Sequence, residues 1–465
     1  MNDKRLSKKM VRGLRLLCLL FSVLLLLADP QSARAQAPPN EILNTNEAKR
    51  NREMGLAMLQ EIKTLIKEHY YDPRYRGIDL DVRFKAAADR IKTLNFNWQV
   101  FRVLAQVLLD FNDSHTRLML PPRTDYFEYG FTAQMIGDKC FVTDVKKGSD
   151  AEKKGLKAGD QILNFGKFPP SRAHLWKILY VLYRLDPVNT VDLKTRNTEG
   201  AEAQFTVMAK TMTQKEKDEE RKKRKDREKA KPFKCQEISK ELIACKLYSF
   251  MVDKGEIDKM MKQAGQYSKL ILDLRGNGGG YVVVEEHLAG YLFDHDVKIA
   301  DVVTRKKNEV RMAKTKRDKS YKGELVVLVD SHSASAAEMV ARVVQIEKRG
   351  KVVGDLSSGA VMTSVRAPLF GRINTTAEAV ITYTGMSLTI ADVIMSDGSR
   401  IEGVGVRPDV SAVPTPLALA QRTDPVLAHA ATMLGASLTP EKAGEFYFIG
   451  EKPEGDEDAD TDGDN

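Results

Sequence analysis

The chain has 465 residues, 42% hydrophobic and 29% charged, an ordinary globular balance spread over more residues than one core usually organises. Two to four folded units are predicted. The formal charge of +9 resides in local segments, which removes the composition argument for a nucleic-acid surface.

Residues 1–35 open with Lys4, Arg5, Lys8, Lys9, Arg12 and Arg15, continue as an apolar run over 16–28, and end on the small residues Ala33 and Ala35. This is the pattern of a signal peptide cut after Ala35, and it predicts export to the periplasm or the medium. The run is short against the ~20 residues that span a bilayer, so no stable span is expected after cleavage; a retained leader would leave the protein membrane-associated. Cys18 lacks the small residues that precede a lipidated cysteine. Removing the leader lowers the formal charge to about +4.

Helical spacing follows over 47–71, with Met58, Leu59, Ile62, Leu65 and Ile66 on one face, then over 82–94 and 98–109. These segments predict an N-terminal helical unit over 36–120 that closes with Asp113-Ser114-His115-Thr116.

Short β-like runs take over at 130–135, 139–145 and 161–165, followed by a helix near 171–182. Between them stands Ala151-Glu-Lys-Lys-Gly-Leu-Lys-Ala-Gly-Asp-Gln-Ile162, and the stretch 121–212 resembles a PDZ domain. The resemblance implies capture of an extended chain end by strand addition, with backbone amides holding the carboxylate. Tyr129, Gly130, Phe131 and Thr132 form the candidate carboxylate loop. A spacer or gate without affinity is the competing reading.

The segment 213–232 is a charged linker. Eleven Lys or Arg against six Asp or Glu over 214–234, with no aromatics interleaved among the charges of 214–231, read as a solvated stretch rather than a nucleic-acid stripe. Asp218 with Lys222, Glu219 with Lys223 and Glu220 with Arg224 are acid-first i,i+4 pairs worth about 0.3–0.5 kcal/mol each, which predicts a frayed helix or a flexible tether.

From 233 to 415 strand and helix signals alternate in α/β fashion. The apolar run 270–274 leads through Arg275-Gly-Asn-Gly-Gly-Gly280 into a helix over 281–293. A second, 325–329, leads through Asp330-Ser-His-Ser-Ala-Ser335 into a helix over 336–347. The segment 416–450 carries a further helix at 424–434, and 451–465, with eight acids and one Lys, is expected to be disordered. Three cysteines survive export, Cys140, Cys235 and Cys245; the last two flank Lys240 between β-like runs, which leaves a cross-strand disulfide open. No zinc-type CxxC or HExxH spacing is present, so no metal is expected.

Ser335 ends a strand and opens a helix, where the positive helix terminus favours a developing anion. Serine is also a preferred N-cap, so this position alone does not make a nucleophile. The glycines of 276–280 allow backbone N–H groups to approach a substrate oxygen. A phosphate cradle is the rival, but no Lys-Ser/Thr follows and the spacing fails at Tyr281.

Together, "LILDLRGNGGG", "VVLVDSHSASAAEMVARVVQ", "YYDP" at 70–73 and "EGVGVRPDV" at 402–410 resemble the C-terminal processing (tail-specific) serine peptidase family over about 45–435. The resemblance implies an α/β multidomain chain: the helical unit, the PDZ-like β-rich domain and a catalytic domain of the ClpP/crotonase type. It makes Ser335 the nucleophile of an endopeptidase that needs no cofactor. The lysine of the family's better-known branch is replaced by Ala360. A second branch, similar to the tricorn protease core, uses histidine; on that pattern His115 is the base, with Ser114 and Glu402 orienting it. Ala336 N–H with Gly278 or Gly279 N–H would form the oxyanion hole.

His332, three residues before Ser335, is the rival base. Glu402 has a surface pairing with Arg407 as its bland alternative, and His69, His174, His287, His295 and His429 show no partner pattern. The partners implied are polypeptides bound by their C-terminal ends, with no nucleic acid; homo-oligomerisation is left open. A pseudopeptidase adaptor is the alternative that Ala360 motivates. Acyl-CoA chemistry on the crotonase-like fold suits an exported chain poorly.

Overall fold

The computed structural model describes residues 42–230, 232–369 and 384–446. The leader expected over 1–35 and the acidic tail expected over 451–465 lie outside the described residues.

Three helices open the chain: α1 (Asn46–His69), α2 (Leu80–Ile91) and α3 (Asn97–Leu109). Thr45 caps α1 by accepting from Ala48 N–H at 3.2 Å, and Asp79 caps α2 through Val82 N–H at 3.0 Å, each satisfying a donor the helix cannot. A short strand follows, β1 (Arg117–Met119).

The next unit holds β2 (Asp125–Glu128), β3 (Phe131–Ile136), β4 (Lys139–Val145), α4 (Asp150–Lys153), β5 (Gln161–Phe165), α5 (Leu175–Tyr180), β6 (Thr190–Arg196), β7 (Glu202–Met208) and β8 (Lys210–Thr213). Strands β3 to β7 form an antiparallel sheet in sequence order, which leaves β3 at one edge, while β2 pairs β8. The predicted helix at 171–182 begins later than expected, at Leu175, and continues as a π-turn over Val181–Leu185.

The linker is a single helix, α6 (Gln214–Ala230). Its start is a reciprocal cap that the tether reading overlooked: Glu216 N–H donates to Thr213 Oγ1 at 3.2 Å and Thr213 N–H to Glu216 Oε2 at 2.8 Å, a Thr-x-x-Glu box. Lys217 lies 4.2 Å from the centre of the Tyr126 ring and ties the first turn to β2.

The remainder runs β9 (Phe233–Glu237), β10 (Leu242–Leu247), α7 (Lys254–Ala264), β11 (Lys269–Asp273), α8 (Val282–Leu292), β12 (Val297–Thr304), β13 (Asn308–Ala313), β14 (Glu324–Val329), α9 (Ala336–Ile346), β15 (Lys351–Gly354), β16 (Thr363–Leu369), β17 (Thr384–Met395), β18 (Val410–Ser411), α10 (Pro416–Gln421), α11 (Pro425–Met433) and α12 (Pro440–Gly444). A six-stranded sheet has the order β18-β15-β14-β11-β10-β9, parallel except for β9. Both faces of its central strands are buried, which is why their sequences are almost continuously apolar. Leu270, Leu272, Leu325 and Val327 face the core shared with α7, α8 and α9. Ile271, Val326, Leu328 and Val353 face Val426, Leu427, Ala430 and Ala431 of α11.

A second sheet has the order β1-β17-β12-β13, with β16 also on β17. The helices of the N-terminal unit share a core with this sheet. Leu118 of β1 registers with Met386 of β17, and Met58, Ile62, Leu104 and Leu108 share one core with Leu369, Met386 and Leu388. Three amphipathic helices leave an apolar face that this sheet helps to cover.

Cys235 and Cys245 stand directly opposite across β9 and β10 and form a disulfide. Cys140 is free and buried, and burial pushes its thiol up to about 12, so it is unreactive.

Candidate active site

Strands β11 and β14 are parallel neighbours, so the turns that leave their C-terminal ends lie side by side, the usual place for a ligand site in an open α/β sheet. The first turn holds the glycines and the second holds Ser335.

Ser335 has φ 54° and ψ −120°, a left-handed backbone that costs a side-chain-bearing residue on the order of 1–3 kcal/mol. The surroundings over-determine it. Ser335 N–H donates to Ala360 O at 3.0 Å and to Glu338 Oε2 at 3.1 Å, while Met339 N–H donates to Ser335 O at 3.0 Å. Gly279 packs against this turn so closely that a Cβ on it would lie 2.6 Å from Ser335 Cβ. The half-buried hydroxyl therefore sits on a sharp strand-to-helix turn, the geometry in which nucleophilic serines are presented.

Glu338 is fully buried and was missed at the sequence level. Its carboxylate accepts from Ser357 Oγ at 2.5 Å, Gly359 N–H at 2.7 Å, Ala360 N–H at 2.9 Å and Ser335 N–H at 3.1 Å. Burial raises its pKa to about 7 against the lowering effect of those donors. The Ser-x-x-Glu spacing of a capping box was the available signal.

His115 stands on the other side, between α3 and β1. Asp113 shapes its loop: one carboxylate oxygen accepts from His115 N–H at 3.0 Å, Thr116 N–H at 2.6 Å and Thr389 Oγ1 at 2.7 Å, and the other accepts from Tyr70 Oη at 2.8 Å. His115 Nδ1 is 2.5 Å from Ser114 Oγ, which is 3.0 Å from Glu402 Oε2; Ser114 N–H donates to Glu402 Oε1 at 2.9 Å. Val361 N–H completes the shell of Glu402 at 3.0 Å, and burial raises the pKa of this carboxyl.

These contacts assign the tautomer. An ionised Glu402 only accepts, so the Ser114 hydroxyl proton points to it, and Ser114 Oγ must accept from Nδ1–H. Nε2 then carries the lone pair a general base needs. Among the described residues no hydrogen bond joins His115 to Ser335. The two halves meet through consecutive residues: Ala360 O takes the Ser335 N–H and Val361 N–H holds Glu402. Ala360 thus occupies the seam where the other branch has its lysine. Catalytic hydrogen bonds commonly tighten only once substrate is bound.

The oxyanion expectation needs one correction. Gly279 N–H donates to Asn277 Oδ1 at 2.9 Å and is not available. Among the described residues neither Gly278 N–H nor Ala336 N–H donates to a protein acceptor, so these two are the candidate pair. His332 uses its backbone N–H to cap Asp330 Oδ1 at 3.0 Å.

Of the predicted chain-end loop, Tyr129 is buried with its hydroxyl donating to Val188 O at 2.7 Å. Gly130 has φ 73°, and a Cβ there would lie 2.4 Å from Ser149 Cβ. Phe131 is buried, and Thr132 Oγ1 is 2.9 Å from Thr143 Oγ1 on β4. The far end of β3 abuts the serine turn: Gln134 Nε2 donates to Asp330 Oδ2 at 2.9 Å and Ser331 Oγ to Met135 O at 2.5 Å.

Desolvation, with Arg117 second, lowers His115 to about 4. Its base form is therefore present throughout the neutral range. Because this native pKa lies below the unfolded value of 6.5, the unfolded chain takes the proton first, so acidification from 6.5 towards 4 also costs stability. Protonating Glu402 would reverse the Ser114 hydrogen bond and spoil the tautomer. We expect the His115 imidazole, followed by NMR, to titrate well below 6.5; a titration of that imidazole at or above about 7 would contradict the assignment.

A serine on a strained turn of a parallel sheet and a histidine held through Ser114 by a half-buried glutamate are the residue types a serine hydrolase would use. Residues 243–412 match the model of peptidase family S41. A "Probable CtpA-like serine protease" of Staphylococcus aureus (strain bovine RF122 / ET3-1) is 24% identical over 356 residues, 72% of this chain and 63% of the relative. The "Tail-specific protease" of Haemophilus influenzae is 25% identical over 268 residues, 53% of this chain and 36% of the relative. The chain thus spans less than two thirds of the length of these relatives. The fold is shared with mature CPAF (TM-score 0.61, 14% identity, 80% of this chain and 94% of the other) and with the photosystem II D1 C-terminal processing protease (0.53, 18%, 84% and 99%).

Proposed function

We propose that the protein is an exported serine endopeptidase that hydrolyses extended polypeptides, with Ser335 as nucleophile and His115 as base. The observation that carries this reading is the Glu402–Ser114–His115 chain, which leaves Nε2 free to take the Ser335 proton and return it to the leaving amine. Gly278 and Ala336 N–H groups would hold the tetrahedral oxyanion, where removal of one well-placed donor costs about 10²–10³ in kcat. Peptide-bond hydrolysis by this route needs no cofactor.

The leader pattern over 1–35 supports export. Among the described residues no helix is long and apolar enough to cross a membrane.

In this reading the PDZ-like unit takes a substrate chain end as an added strand on β3, with the carboxylate at Tyr129–Thr132. A strand laid antiparallel to β3 from Gly130 runs towards Asp330 and Ser331, five and four residues before the nucleophile. Delivery is tested with Gly130→Ala, whose Cβ meets Ser149 at a left-handed position. Casein cleavage is expected to slow about tenfold while a short internal peptide is cleaved at the wild-type rate. Equal effects on both substrates would remove the delivery role, and no cleavage of either by the folded wild type would leave the chain a pseudopeptidase adaptor.

A further inference from the structure

The turn that carries Gly278 is held from outside the matched peptidase segment. Arg275 opens this turn and is 4% exposed. Its Nε and one terminal nitrogen donate to Asp273 at 3.0 and 2.8 Å, and its two terminal nitrogens donate to Asp424 at 2.9 and 2.7 Å. Two carboxylates on one guanidinium fix the plane of the side chain, because the fork matches each in a defined orientation. Lys246 Nζ donates to Arg275 O at 2.9 Å and fixes the peptide that follows.

Asp424 stands twelve residues beyond the end of the family match at 412. It is the N-cap of α11: Oδ1 also accepts from Val426 N–H at 3.1 Å and Leu427 N–H at 3.0 Å, and its own N–H donates to Pro440 O at 2.8 Å. One carboxylate therefore joins the docking of the C-terminal helices to the start of the glycine turn. Further along, Gly276 N–H donates to Asp330 Oδ1, Asn277 N–H to Leu274 O and Gly279 N–H to Asn277 Oδ1. The N–H groups of Gly276, Asn277 and Gly279, on both sides of Gly278, are thus tied down, whereas the Gly278 N–H has no protein acceptor among the described residues.

We propose that Asp424 is a positioning residue of the hydrolytic site, acting through Arg275 to aim the Gly278 N–H. The inference rests on the proposed Ser335 hydrolase reading. Asp424 touches no reacting atom; its effect is on where the oxyanion donor stands.

The test uses the full chain, a peptide substrate and a fluorophosphonate probe. Asp424→Asn keeps a capping side chain for α11 but removes the charge opposite Arg275. We expect kcat and the labelling rate to fall together, by roughly 10- to 100-fold, with KM within about twofold of wild type and part of the rate restored by Asp424→Glu. Leu427→Ala, which loosens the same helix without touching Arg275, is the comparison: its melting temperature should drop while kcat is kept. The inference is overturned if folded Asp424→Asn retains wild-type kcat, or if Leu427→Ala lowers kcat as much as Asp424→Asn does. Should Asp424→Asn not fold, Asp424→Glu against Leu427→Ala decides by the same kcat comparison. Wild type that neither labels nor cleaves would instead defeat the hydrolase reading itself.

Discussion

Replacing Ser335 by alanine is expected to lower peptide-bond hydrolysis by about 10⁴-fold or more while the thermal transition moves little. The size of the loss follows from the reaction. Without Oγ there is no acyl-enzyme, and the His115–Glu402 network has no proton to accept. What survives is water attack assisted by the Gly278 and Ala336 N–H groups. The small stability effect follows from the contacts of the residue: its N–H bonds to Ala360 and Glu338 are backbone-made, and alanine keeps them. Alanine at φ 54° inherits the same backbone strain, so no relief is expected either. Activity and melting temperature measured on the same preparation check both halves; residual hydrolysis within tenfold of wild type would mean that Ser335 only caps α9.

The second large effect is predicted for Glu402→Gln, which changes one oxygen for an NH₂ of nearly the same shape. Three donors converge on the carboxylate, from Ser114 N–H, Ser114 Oγ and Val361 N–H. Either orientation of the amide sets its NH₂ against at least one of them. If the NH₂ replaces Oε2, it donates to Ser114 Oγ, the serine hydroxyl turns to His115 Nδ1, and Nε2 takes the proton that should have been on Nδ1. If it replaces Oε1, it opposes Ser114 N–H and pushes the loop off His115. Wrong-tautomer variants of serine hydrolases lose about 10⁴ in kcat with geometry otherwise kept, so a loss of roughly 10³–10⁴ is expected, with KM nearly unchanged. His115→Ala should be at least as damaging. A Glu402→Gln variant with wild-type kcat would return Glu402 to a structural role and make His115 an ordinary buried histidine.

Legibility divided along physical lines. The strands at 270–274 and 325–329 and the helices after them were readable because a buried parallel strand is almost continuously apolar and each is followed by glycine or serine punctuation. Ser335 and the glycine turn came with them. Ser114, His115 and Glu402 were legible only through resemblance, since Ser114 and Glu402 are separated by 288 residues and no periodicity links them. Glu338 could have been read from its capping-box spacing, but its reach to the loop at Ser357–Ala360 could not. Tyr70 with Asp113 and Arg275 with Asp424 are pairs that only coordinates reveal, because a buried ion pair or hydrogen bond leaves no local pattern. The choice of oxyanion donor also needed coordinates: Gly278 and Gly279 are identical in sequence terms, and the Asn277 side chain decides between them by occupying one N–H.

What the N-terminal helices pack against was not legible in the sequence. Helical spacing reports which face of a helix is apolar but not what covers it. Met386 and Leu388 lie on β17, a strand of the second sheet, and they complete the core that α1 and α3 open. The chain leaving α3 reaches Ser114, which meets Glu402, whose carboxylate also accepts from Val361 N–H.

The most direct test of the account is covalent labelling of the intact protein with a fluorophosphonate at pH 7.5 or so, followed by mapping of the modified peptide, for wild type beside His115→Ala. The account predicts a single adduct on Ser335 in wild type and loss of most of the labelling rate in the variant. No adduct on folded wild type, or equal labelling in His115→Ala, would contradict it.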